Sequence, residues 1–414
     1  MIELTIREIV AREILNGVGD PTVEADVVTV GGFRGRASVP SGASTGTYEA
    51  VQIRDGGSRF VGRGVLAAVE NVNRDIAPLL RGMDVTRQRD IDEAMKELDG
   101  TANKSRLGAN ALLAVSLAVA DAAAKALGQP LYEYVGGGKP ASLPRPMANV
   151  MAGGKHAGNP LDIEDHLIFP AEGMGFREAT RGCVEIYRQV GRLLEDRFGP
   201  VRVTGGAWSP PIEEEEEVLD IIVEAIREAG YDGLFAMGLD VAASQLYTAS
   251  GRYALASGEV GREELIRYYQ SLVGRYPITL IEDPFVEDDF EGFRQITDLM
   301  KDTLIVGDDL FVTNRERVEK GAAVGAANAV LFKINQAGTL TDALNTATAA
   351  RKVGYALVAS VRAGESEDTL AADVAVAVGA TLIKLGAPAR GERNNKYNRL
   401  MRIEEELLTG RPVG

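Results

Sequence analysis

The stretch "PITLIEDP" (Pro277–Pro284) is a short apolar run that ends in two carboxylates, Glu282 and Asp283. It has the length of a buried strand. Five other runs follow the same plan: "GLFAMGLD" (Gly233–Asp240), "TLIVGDDL" (Thr303–Leu310), "AVLFKINQ" (Ala329–Gln336), "ALVASVRAG" (Ala356–Gly364) and "TLIKLGAPARGERN" (Thr381–Asn394). Helical stretches such as "REELIRYYQSLVGRY" (Arg262–Tyr276) and "LTDALNTATAARKVGY" (Leu340–Tyr355) separate them. Apolar runs of this length alternating with helices are βα units, and six or more of them point to a barrel. Such barrels place their chemistry at the C-terminal ends of the strands.

The ionisable residues at those ends are Asp240, Glu282, Asp308, Lys333 and Lys384, in chain order. Three carboxylates from three successive strands would converge above the barrel. Hard oxygen donors in that number suit Mg²⁺, which keeps some waters and takes further ligands from substrate. The two lysines follow on later strands, across the mouth. A largely dehydrated lysine beside a metal centre can have a lowered pKa and serve as a base.

The rest of the composition is that of a globular protein with a large core. The 414 residues favour two domains, or a barrel with an appendage. With 60 acidic against 45 basic residues the net charge is −15, which argues against a nucleic-acid partner. An anionic substrate remains compatible, because a site can be locally positive in an acidic protein. The single cysteine, Cys183, lies in an amphipathic helical stretch and reads as a buried structural thiol. No intrachain disulfide is possible, and the expected location is cytoplasmic. The longest apolar run, "ANALLAVSLAVADAAA" (Ala109–Ala124), is interrupted by Ser116 and Asp121 and reads as a core helix, so no membrane partner is expected.

Upstream of the barrel, "TIREIVAREI" (Thr5–Ile14) and "TVEADVVTV" (Thr22–Val30) pattern as strands, and helical periodicity runs from Gly62 to about Leu127. "GGGKPASLPRP" (Gly136–Pro146) reads as a linker. The expected division is an N-terminal α+β capping domain over residues 1–135 and a C-terminal α/β barrel over 136–414 that carries the site.

"PSGASTGTYEA" (Pro40–Ala50), "GLDVAASQLY" (Gly238–Tyr247), "LIEDPFVEDD" (Leu280–Asp289), "IVGDDLFVTN" (Ile305–Asn314), "KINQAGTL" (Lys333–Leu340) and "IKLGAPARGERNNKYNRLMRIEEEL" (Ile383–Leu407) resemble enolase segments, in enolase order, over nearly the whole chain. The resemblance implies an enolase-type (β/α)8 barrel preceded by a smaller α+β domain. It implies a Mg²⁺-dependent lyase that removes the proton beside a carboxylate, converting 2-phosphoglycerate to phosphoenolpyruvate. By position, Asp240, Glu282 and Asp308 would hold the first Mg²⁺, and Ser44 would help hold a second. Lys333 would be the base. Lys384 would stabilise the enediolate and pair with the substrate carboxylate. Arg362 would contact phosphate, and His156 would sit on a second closing loop. The partners implied are a small carboxylate substrate, phosphorylated in the family's reaction, and other copies of the chain in a homodimer or larger homo-oligomer.

Departures cluster on one side of that chemistry. The family's "GDEGGFAP" turn, whose glutamate protonates the departing hydroxyl, appears as "VTGGAWSP" (Val203–Pro210), with Gly205 at the glutamate and Thr204 at the aspartate. The family's "QE" pair appears as Glu164–Asp165. "SHRSGE" appears as "SVRAGE" (Ser360–Glu365), with Val361 for histidine and Ala363 for a phosphate-contacting serine. Asn16 and Val18 replace charged residues near the N-terminus. The metal and lysine half of the site is intact, while the half that holds phosphate and expels hydroxide is altered. Losing a general acid costs about 10²–10⁴ in rate. The expected activity is therefore weak or altered. Glu164 is the first candidate for a substitute acid, assisted by Asp165, and His156 is another. The acidic run Glu213–Glu217 follows two prolines and is expected to open a helix instead. The alternatives are a paralogue acting on a different carboxylic acid, or a non-catalytic binding protein that kept the fold.

Overall fold

The computed structural model describes residues 3–42, 46–138 and 142–410, and the backbone alone at His156. The chain begins with a three-stranded antiparallel sheet, Ile6–Leu15, Pro21–Thr29 and Arg34–Ser38, in sequence order. The first two strands fall where the alternating patterns predict them. The helix Ala109–Leu127 packs on this sheet, and nearly all its side chains are buried. Its alanines permit that closeness. So does Gly35, where a Cβ would run into the Ala118 carbonyl and the Ala122 amide. The helix is long and apolar enough to cross a membrane, but its apolar surface is spent inside the protein.

Eight strands then form a closed barrel: Arg145–Ala152, Asp165–Pro170, Phe235–Asp240, Ile278–Glu282, Leu304–Gly307, Ala329–Phe332, Ala356–Ser360 and Leu382–Lys384. The last pairs with the first, bringing Lys384 opposite Met147. Met147, Leu167, Phe169, Leu280, Val306, Leu331, Val358 and Leu382 fill the interior, so the barrel is a packed core. Sequence periodicity found the last six strands and missed the first two. Arg145–Ala152 begins inside the segment read as a linker. Asp165–Pro170 breaks the βα pattern, because it runs antiparallel to both neighbours.

That reversal matters for the site. A reversed strand presents its first residues, not its last, at the catalytic mouth. Asp165 therefore lies opposite Asp240. Two helices follow it, Phe176–Phe198 and Glu215–Glu228, separated by a small hairpin, Arg202–Thr204 with Ala207–Ser209. The acidic run does open the second of these helices, although Glu215 itself is buried. Buried polar contacts weld the first domain to the barrel. Ser116 Oγ accepts from the Leu340 amide at 3.0 Å, and the Asp92 carboxylate accepts from the Thr341 amide at 3.0 Å.

Candidate active site

Strand register delivers the site. Glu282 pairs with Asp240 across adjacent parallel strands, Lys384 pairs with Ser360, and Asp308 and Lys333 each come one residue after their strand. These five residues are brought together, with Asp165 and Glu164 arriving from the reversed strand. All are buried or nearly so. Glu282 is 1% exposed, and Asp240 and Lys384 are each 8% exposed.

The two lysines divide the carboxylates between them. Lys384 Nζ lies 2.6 Å from Asp240 Oδ2, 2.9 Å from Glu282 Oε2 and 3.4 Å from Asp165 Oδ2. Lys333 Nζ pairs with Asp308 Oδ2, whose other oxygen accepts from Gln336 Nε2 at 2.9 Å. Burial pushes the Glu282 carboxyl well above the usual carboxylate range, and the nearby Asp240 charge adds to the rise. The expected lowering of Lys333 is not seen. Burial is the largest single influence and pulls its pKa down, but the carboxylates around it, Asp308 foremost and Glu282 with it, together leave it raised. Lys384 is raised for the same reason, by Asp240 and Glu282.

The donor set fits a hard divalent cation. Asp240, Glu282 and Asp308 are three buried carboxylates on consecutive strands, and an ammonium already bridges two of them where a cation's charge is needed. A second acidic group shares Asp308. Ligand oxygens of Asp283, Asp308 and Asp309 lie within 4.8 Å of one another. Asp283 is already engaged, accepting the Asp308 and Asp309 amides at 2.8 Å each, so its first task is to brace that turn. Ser44 lies outside the described residues, as does the His156 side chain.

Asp240, Asp283, Asp308, Asp309, Lys333 and Lys384 line a cavity of about 920 Å³, its open mouth included. Glu164 is on its wall. The Glu164 carboxyl accepts from Gln245 Nε2, and burial together with the Asp240 and Asp165 charges pushes its pKa up to about 8. Asp165 accepts from Asn149 Nδ2. Asp309 rises to about 7, through burial and the charge of Asp308. Arg362 also lines the cavity. Its guanidinium is held by Glu49, with Nη1 at 3.2 Å from Oε2 and Nη2 at 3.3 Å from Oε1, and by Asn335 Oδ1 at 3.1 Å. Val361 and Ala363 flank it on the wall.

The hairpin Arg202–Ser209 reaches the cavity with Thr204 and Gly205. Its tip turns through Gly205 (φ 58°) and Gly206 (φ 96°), a left-handed pair that favours glycine. Trp208 points away. It stacks on Tyr187 at 5.4 Å and donates from Nε1 to the Tyr187 carbonyl at 3.0 Å. Behind the reversed strand, Glu215 accepts from the Asp162 and Ile163 amides at 2.8 and 2.9 Å and lies 2.8 Å from His166 Nε2.

Sequence reasoning missed Asn149, Glu49, Gln245, Arg393 and Glu215. Asn149 carried a signal, as a lone amide in the apolar run Met147–Ala152. The others sit in polar segments where nothing marks one residue over its neighbours.

A closed barrel with paired lysines and carboxylates gathered at its strand ends has the architecture of a barrel enzyme, with groups able to hold and move protons. Comparison with known proteins narrows the class. Residues 6–135 match the family model described as "Enolase, N-terminal domain", and residues 140–411 match "Enolase, C-terminal TIM barrel domain". The enolase of Thermococcus gammatolerans is 53% identical over 409 residues, covering 97% of this chain and 95% of that protein. The enolase of Methanopyrus kandleri is 53% identical over 411 residues, 98% of this chain and 96% of that protein. The enolase of Methanocaldococcus jannaschii is 51% identical over 412 residues, 99% and 97%. The chain belongs to the enolase family of carbon–oxygen lyases.

Proposed function

We propose that this protein removes the proton beside a substrate carboxylate and expels a hydroxyl from the next carbon, as in conversion of 2-phosphoglycerate to phosphoenolpyruvate, with turnover weakened or altered at the expulsion step. The observation that carries this reading is the pairing of Lys333 with Asp308 and of Lys384 with Asp240 and Glu282 at one cavity that Thr204 and Gly205 also line.

A proton beside a carboxylate is barely acidic, and removing it adds charge to an anion. Mg²⁺ held by Asp240, Glu282 and Asp308 would supply positive charge against that developing dianion. Lys333 takes the proton. Its ammonium is held by Asp308, so once that carboxylate is engaged elsewhere the lysine loses the partner that keeps it charged. Lys384 stays protonated and faces the enediolate oxygens. Arg362 receives phosphate by giving up part of its hold on Glu49. Glu164 supplies the proton to the leaving hydroxyl. Its raised pKa keeps it protonated near neutral pH, and Asp165, fixed by Asn149, adds the charge that helps raise it. Residues 1–135 cap the barrel and residues 136–414 carry the chemistry. The working protein is a cytoplasmic homodimer or larger homo-oligomer without a nucleic-acid or membrane partner.

The test is Lys333→Ala, which should abolish exchange of the C2 proton into D₂O whatever the leaving group. A non-catalytic protein would instead show no Mg²⁺-dependent rise in thermal stability. A second reading, turnover of a different carboxylic acid, is favoured by the neutral Thr204–Gly205 wall beside a buried arginine.

A further inference from the structure

That arginine is Arg393, the third residue of the helix Gly391–Thr409. It is 8% exposed and lines the same cavity as Thr204, Gly205 and Asp165. Nη1 donates to the Leu385 carbonyl at 3.3 Å, and Nε has no hydrogen-bond partner. The surrounding carboxylates are committed to others. Glu365 binds Lys396 at 2.9 Å and the Arg362 amide at 2.9 Å. Glu392 Oε1 lies 2.6 Å from Arg390 Nε as an ion pair without a hydrogen bond, and Asp165 is taken by Asn149 and Lys384. A buried guanidinium without its own carboxylate is costly and is expected to meet one in the working state.

The glycine turn stands beside it. A Cβ on Gly206 would lie 3.2 Å from Ala387 Cβ and 3.4 Å from Arg390 Cδ, and a Cβ on Gly386 would overlap Arg393 Nη1. Turn, Gly386–Ala387 and Arg393 thus form one continuous wall, on the side of the cavity assigned to the leaving group. With Thr204 and Gly205 at its edge, that wall carries a cation and no acid of the turn to neutralise it.

We propose that Arg393 and the Thr204–Gly205 turn form a carboxylate subsite, and that the substrate carries a second carboxylate on the carbon that loses the hydroxyl. The inference rests on the proton-abstraction reading above and names its substrate class. The step balances. The C2 proton passes to Lys333, its electron pair forms the C2–C3 double bond, and the C3 hydroxyl leaves as water with a proton from Glu164. The second carboxylate is unchanged and stays on Arg393, which binds it in fork geometry.

The experiment compares two probes, 2-phosphoglycerate and tartrate 2-phosphate, which differ by a carboxylate in place of one C3 hydrogen. Affinities are measured by calorimetry with Mg²⁺ on the full-length Lys333→Ala protein, so that neither compound turns over. The dicarboxylate should bind at least about tenfold more tightly, as a charge-assisted pair predicts. Adding Arg393→Met should bring the affinity ratio close to one. If that double variant does not fold, Thr204→Asp on the Lys333→Ala background should do the same by occupying Arg393 with a protein carboxylate. A ratio near one before any change at Arg393, or a preference that survives both substitutions, overturns the subsite. Deuterium exchange at C2 in the otherwise unaltered enzyme is read separately. A preference without exchange keeps the subsite and sinks the catalytic reading, and exchange without a preference sinks the subsite alone.

Discussion

Glu215 reaches behind the reversed barrel strand to place one carboxylate oxygen 2.8 Å from His166 Nε2, while its other oxygen holds the Asp162 and Ile163 amides. His166 is fully buried and Glu215 is 4% exposed. The pair therefore fixes, from the side away from the cavity, the segment that delivers Glu164 and Asp165 to it. Glu215→Ala would leave a buried imidazole, the buried Ile163 amide and the part-buried Asp162 amide without their partner. The expected loss is about 3–5 kcal/mol, read by urea denaturation. Glu215→Gln should retain part of that loss and also slow turnover, because Glu164 is carried on the same segment. Unchanged stability in both variants would remove Glu215 from this role.

Glu164 gives a pH signature. Its folded-state pKa, about 8, lies above the ordinary glutamate value, so the folded state binds more protons than the unfolded state between roughly pH 4.5 and 8. The stability it contributes is present below its unfolded pKa and is lost as pH rises through the folded one. In metal-free protein, Glu164→Gln should flatten the fall in stability between pH 5 and 8, by an amount on the order of a few kcal/mol. The same change should slow product formation by about 10²–10⁴ if Glu164 is the acid. An unaltered rate would assign the acid elsewhere.

Gly205 offers the reverse experiment. Gly205→Glu places a carboxyl on the cavity wall, at the position that the resemblance to enolase segments assigns to the acid. The backbone there is left-handed (φ 58°), so the variant should lose about 1–2 kcal/mol of stability. Formation of phosphoenolpyruvate from 2-phosphoglycerate should nevertheless rise, by about 10-fold or more, in a coupled spectrophotometric assay. A fall in rate would mean that the missing glutamate does not limit this chemistry.

The first domain depends on the close approach at Gly35. Gly35→Ala forces the sheet away from the helix Ala109–Leu127, since a Cβ there overlaps the helix backbone at Ala118 and Ala122. An overpacking cost of about 1–3 kcal/mol is expected, measured as a lowered denaturation midpoint with an unchanged slope. No loss would show that the sheet can move freely over the helix.

The sequence was most legible where strand and chemistry coincide. Asp240, Glu282, Asp308, Lys333 and Lys384 each close an apolar run, so one pattern found both the strand and the charged residue at its end. It failed at Arg145–Ala152 and Asp165–Pro170, where the strand precedes a hairpin or runs backwards and the alternation with helices breaks down. Partners that come from loops and helix faces were invisible for a different reason. Glu49 meets Arg362 across 313 positions, and nothing local records that meeting. Glu215 sat in a run of five glutamates, four of them on the solvated side of a helix start, and only the fold singles it out.

In the proposed reaction the proton-abstracting half of this site works and the hydroxyl-expelling half limits turnover. The protein with Mg²⁺ and 2-phosphoglycerate in D₂O, followed by NMR, separates the two halves. Deuterium should enter at C2 at least about tenfold faster than phosphoenolpyruvate forms, with both signals lost in Lys333→Ala. Phosphoenolpyruvate forming as fast as deuterium enters, no exchange at all, or exchange that survives Lys333→Ala would contradict it.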